Sequence, residues 1–95
     1  MEKTTKVIVE EMLKIDTEEM QKAYDRAVAS VKEVEAIRDI LAKLKNEKAS
    51  EEILNIYLQE EQEALEQNKK AYEEYQILAA RVRVNKRILE REDLK

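Results

Sequence analysis

No cysteine, histidine, glycine, proline, tryptophan or phenylalanine occurs in this 95-residue chain. Each absence removes a class of chemistry or structure. Without cysteine there is no disulfide framework and no thiolate metal site. Without histidine, the common nucleophile–base pairs, histidine-containing zinc sites and the Glu-x-x-His sites of di-metal bundles all lack a necessary group. Without glycine there is no phosphate-cradling loop. With glycine and proline both missing, tight turns and strand ends lose their usual residues, so a multi-turn β fold fits poorly. No apolar run approaches the length of a spanning helix or resembles a signal peptide. These exclusions lead us to expect a protein that is not an enzyme and needs no cofactor or metal. By default its setting would be cytoplasmic.

What the chain does contain is charge. Asp, Glu, Lys and Arg make up 42% of the residues and aromatics only 4%. Enrichment in Glu, Lys, Leu, Ala, Gln and Arg is the composition of long helices and coiled coils. A net charge of −4 disfavours non-specific attraction to nucleic acid or anionic membrane. The length corresponds to one domain.

Three segments follow from the capping signals. Residues 5–15 read as a short helix, although Val7, Ile8 and Val9 form a β-branched run that also suits an extended arm. Asp16, followed three residues on by Glu19, has the form of a capping box and predicts a helix start or kink there. A first long helix then spans 17–45. Asn46 is a candidate left-handed C-terminal residue, and Ser50 a candidate N-cap with Glu51 and Glu52 behind it. This places a loop at 46–50 and a second long helix at 51–92.

A mostly apolar seam recurs in alternating steps of four and three along both arms: Val9, Leu13, Asp16, Met20, Ala23, Ala27, Ser30, Val34, Ile37, Leu41 and Leu44 in the first, Leu54, Tyr57, Glu61, Ala64, Asn68, Ala71, Tyr75, Leu78, Val82, Asn85 and Leu89 in the second. That period is what knobs-into-holes packing requires. Folding the arms back on each other puts Ala27 opposite Ala71 and Ser30 opposite Asn68. A polar layer of that kind penalises slipped registers. The predicted fold is therefore all-α: an antiparallel two-helix coiled-coil hairpin with a short N-terminal helix.

The two flanks of the seam differ. At the g positions, Arg26 falls beside Glu74 and Glu19 beside Arg81. At the e positions and next to them, Tyr24, Val28 and Val31 face Leu58, Leu65, Tyr72 and Ala79. An apolar flank of this size predicts a partner. These seven residues are the candidate interface, and the expected product is a four-helix bundle formed with a second copy or a similar helical chain. The alternative is that the short N-terminal helix folds back and covers the flank.

Three further groups are candidate sites. Glu61 is a carboxylate on the seam opposite Ile37; it is either a buried acid of functional interest or the ion-pair partner of Arg38. Asn85, opposite Leu13, is a polar weak point where the arms could splay or another chain could enter. Arg81, Arg83, Lys86, Arg87 and Arg91 form the densest basic cluster and are the candidate phosphate contacts of a small nucleic-acid-binding regulator. Their position near a helix C-terminus also suits a structural role.

In outline (short, acidic, free of cysteine and hairpin-shaped) the chain resembles the ESAT-6/WXG100 class of small exported hairpins and their partners. The Trp-x-Gly turn of that class is replaced here by Asn46 to Ser50. Tyr57 and Glu61 match its Tyr-x-x-x-Glu spacing but lie near the loop rather than at the C-terminus. The resemblance implies export without a signal peptide and transfers no residue roles. The functional expectation is a non-catalytic interaction protein, such as an adaptor, small chaperone, inhibitor or secretion partner, that acts by helix–helix packing.

Overall fold

A computed structural model describes residues 4–91. Two helices account for nearly all of them: α1, Thr5–Asn46, and α2, Glu51–Leu89. They lie side by side as a hairpin measuring 68 × 22 × 13 Å. The radius of gyration is 21.0 Å, against roughly 12–13 Å for a globular domain of this length. The molecule is a rod with one buried seam and no second layer.

Side-chain oxygens cap both helix starts. Thr4 Oγ1 accepts the Val7 amide at 3.3 Å, and Ser50 Oγ accepts the Ile53 amide at 3.4 Å. The Ser50 cap is the one predicted. At the other end of α1 the termination differs from expectation. The helix includes Asn46, and the left-handed residue is Lys48, with φ at 56°. The Lys48 amide bonds the Lys45 carbonyl at 3.2 Å and the Ala49 amide reaches back to Leu44 at 3.0 Å. These two bonds make a Schellman motif, built here without glycine. α2 ends at Leu89, short of the predicted residue 92, which lies outside the described residues.

The larger correction is at Asp16. No helix start occurs there, because α1 runs unbroken from Thr5 to Asn46. The short helix predicted over 5–15 and the long one over 17–45 are a single element. The Asp16 side chain points across the seam to α2 instead of capping its own backbone. Thr17 back-bonds to the Leu13 carbonyl at 2.7 Å, which is compatible with a continuing helix. Residues 5–15 therefore do not fold back over either flank.

The seam follows the predicted register. Val9, Ala23, Ala27, Val34, Ile37 and Leu41 of α1, and Ala64 and Val82 of α2, are its buried apolar residues. Leu54, Tyr57 and Leu65 pack against the cluster of Val34, Ile37, Leu41 and Ala64 near the loop. The middle is thin because small side chains meet there, Ala23 being fully covered. No large side chain is completely buried among the described residues, so the core of the isolated hairpin is modest.

Candidate interaction surface

Two polar layers hold the hairpin in register. In the first, Asn68 Nδ2 donates to Ser30 Oγ at 2.9 Å and to the Ala27 carbonyl at 3.3 Å. Ser30 Oγ in turn donates to that carbonyl at 2.8 Å. The amide fits this one position, and sliding either helix by a turn would bury it unpaired. This is the Ser30–Asn68 layer the seam predicts.

The second layer was only partly legible. Asp16 is 4% exposed and Asn85 9%. Asn85 Nδ2 donates to Asp16 Oδ2 at 3.1 Å, and the Arg81 guanidinium meets Asp16 Oδ1 at 3.2 Å. Asn85 is thus satisfied, and the arms do not splay at that point. Arg81 pairs with Asp16, not with the predicted Glu19, which instead lies 3.5 Å from Lys22 on its own helix. The signal was available: two polar residues stand on the seam within a turn of each other, and each is the other's nearest candidate partner.

Of the remaining charged predictions, Arg26–Glu74 is present at 3.0 Å with both side chains about half exposed. Glu61 accepts from Arg38 Nε at 3.0 Å, which is the ion-pair alternative for that carboxylate. The basic residues Arg81, Arg83, Lys86, Arg87 and Arg91 are all exposed. They do not share one stripe, since residues two apart on a helix point to different sides. Among the described residues no acidic cluster could hold a metal ion, and no helix is long and apolar enough to cross a membrane.

The candidate interface divides in two. Tyr24, Val28, Val31, Leu58 and Tyr72 stand exposed, Tyr24 and Tyr72 at 49% and 53%. Leu65 and Ala79 are half-buried, and Leu65 belongs largely to the hairpin's own core. The centre of this flank is aromatic. The Tyr75 ring lies 5.6 Å from that of Tyr24 and 6.4 Å from that of Tyr72. Together with Ala27, Val28, Val31 and Asn68 these rings line a groove of about 410 Å³. Rigid rings with a hydroxyl edge around a shallow apolar depression are the composition of protein interfaces.

The opposite flank departs from expectation. Charged residues run along it, Arg26, Glu33 and Glu74 at its middle, but apolar residues are exposed between them. Toward the chain termini it exposes Ile8, Met12, Ile15, Ile77 and Val84, and toward the loop Ile40, Ile53 and Ile56. Ile15 and Ile77 are its most exposed members, at 60% and 63%. Met12, Ile40 and Ile53 stand at g positions, and the other five, Ile8, Ile15, Ile56, Ile77 and Val84, sit at the adjoining c positions, which the g pattern does not include.

Compared with known proteins, the chain matches no family profile, no curated protein and no solved structure.

Proposed function

We propose that this chain is a non-catalytic interaction module that works as a coiled-coil hairpin, presenting its tyrosine-bearing flank to another helical chain. The simplest partner is a second copy, giving a four-helix bundle. One observation carries the reading. Tyr24, Val28, Val31, Leu58 and Tyr72 lie exposed along one flank of a rod whose described residues leave that flank uncovered. Monomeric proteins rarely expose a contiguous apolar patch of this extent. The thin seam adds a second reason, because so small a core gains substantially from further burial.

The test is size-exclusion chromatography with light scattering on the wild type and on a Val31→Lys/Tyr72→Lys variant. Both positions are exposed in the hairpin, so the variant should retain its helical circular dichroism while forming a smaller assembly than the wild type. Leu65 is unsuitable for this purpose, since it packs into the hairpin core. A wild type that stays monomeric at high concentration and captures no helical partner, or a variant that assembles unchanged, would refute the reading.

A further inference from the structure

The flank opposite the tyrosines is not a solvated back. Its apolar residues fall into two patches, one near the loop and one near the termini, separated by the Arg26–Glu74 ion pair. The terminal patch forms a groove of about 390 Å³ lined by Met12, Ile77, Ala80 and Val84, with the Asp16–Arg81–Asn85 layer as its floor. It continues along α2 into a second depression formed by Val84, Ile88, Arg87 and Arg91.

On α2 the charges around these patches are segregated, whereas α1 carries both signs at each end, with Lys32, Asp39 and Lys43 toward the loop and Glu18, Glu19 and Lys22 toward the termini. On the part of α2 that borders this flank near the loop, the charged residues are Glu52, Glu60, Glu63 and Glu66, all exposed. Between Glu51 and Asn68 the helix carries no Lys or Arg at all. Near the termini the same face of α2 carries Arg81 and Arg87, with Arg91 just beyond the helix end, and no carboxylate among the described residues. One face of one helix therefore holds an apolar patch rimmed by acids and an apolar patch rimmed by arginines.

We infer that this flank is a second self-association surface, on which two copies pack antiparallel so that the acidic loop-end patch of each covers the basic terminal patch of the other. A two-fold axis across the middle of the flank makes both contacts at once, as an isologous interface requires. At that midpoint Ala29, Ser30, Gln67 and Ala71 line a shallow groove beside Arg26 and Glu33, and small side chains let backbones approach. In a parallel two-fold α2 of each copy would meet α1 of the other, so the contact between the glutamates of one α2 and the arginines of the other is made only in the antiparallel arrangement. Neither patch is part of the tyrosine flank, so a chain with both surfaces is bivalent and can assemble beyond a dimer. Only that last consequence rests on the tyrosine-flank reading.

The experiment isolates the second surface by working in the Val31→Lys/Tyr72→Lys background. In that background the chain is expected to dimerise, and adding Ile77→Lys/Val84→Lys should convert it to a monomer of unchanged helicity. A background variant that is already monomeric overturns the inference, as does a dimer indifferent to Ile77→Lys/Val84→Lys. Orientation is read from a single spin label at Glu47→Cys, in a chain with no cysteine of its own. Antiparallel packing separates the two loops by a distance approaching the 68 Å length of the hairpin. Labels close together would mean parallel packing and would refute the arrangement. If the tyrosine flank also associates, the wild type forms species larger than a dimer and the Ile77→Lys/Val84→Lys variant stops at one. A wild type no larger than its background variant faults the tyrosine flank alone.

Discussion

Replacing Asp16 by leucine should destabilise the hairpin more than its position in an exposed, highly charged helix suggests. Asp16 and Asn85 are both buried, and each satisfies the other through the 3.1 Å hydrogen bond. Asp16→Leu removes the acceptor and leaves the Asn85 amide facing apolar surface, and an orphaned buried donor costs about 1–3 kcal/mol. The Arg81 ion pair adds little, because that guanidinium is 59% exposed and pairs with an exposed member contribute under about 1 kcal/mol. The total is about 2–3 kcal/mol, which corresponds to a fall in melting temperature of roughly 10–20 °C for a domain of this size.

The double substitution Asp16→Leu/Asn85→Leu should behave differently. It replaces a polar layer with an apolar one that continues the seam, which is often neutral or stabilising. Urea unfolding followed by circular dichroism, with all four proteins at one concentration because assembly adds to apparent stability, gives the coupling energy. The expected coupling between the two positions is about 1–3 kcal/mol. Costs that simply add, or a harmless Asp16→Leu, would show that the layer does not hold the hairpin in the way its geometry implies.

Two further outcomes test the hairpin itself. Lys48 adopts a left-handed conformation that glycine occupies without strain, so Lys48→Gly should raise stability by about 0.5–1 kcal/mol; a loss of stability in thermal unfolding would contradict the Schellman geometry. Ser30→Cys/Asn68→Cys should form an intramolecular disulfide under mild oxidation, detectable by mass and by accelerated migration on a non-reducing gel. Because the chain has no other cysteine, failure to crosslink would place Ser30 and Asn68 in different layers.

How much was legible from sequence depended on how local the deciding interactions are. The seam could be read because helix geometry alone determines which side chains share a face. Once those faces are known, matching Ser30 with Asn68 leaves one register, and Arg26 then falls beside Glu74 as observed. The Ser50 cap was legible for the same reason, as its acceptor and donor lie three residues apart. Asp16 was misread because its side chain has two competing uses: it can cap the helix that follows or cross to α2. The local pattern favours the cap, but the folded chain brings Asn85 and Arg81 within reach. An acid bonded from across the seam leaves the backbone free to continue as helix. The outer flank was misread for a related reason: the pattern that identifies a seam says little about how far its apolar character spreads to the c positions.

The chain by itself determined its helical arms, the start of the second at Ser50 and the Ser30–Asn68 layer that aligns them, since these follow from 3.6-residue periodicity and short-range capping. Only the packed hairpin decided that α1 is unbroken and that Leu65 belongs to the core while Tyr72 does not. It also showed that apolar surface remains exposed on both flanks. Burial is a property of neighbours distant in sequence, so these features exist only once the two helices lie against each other.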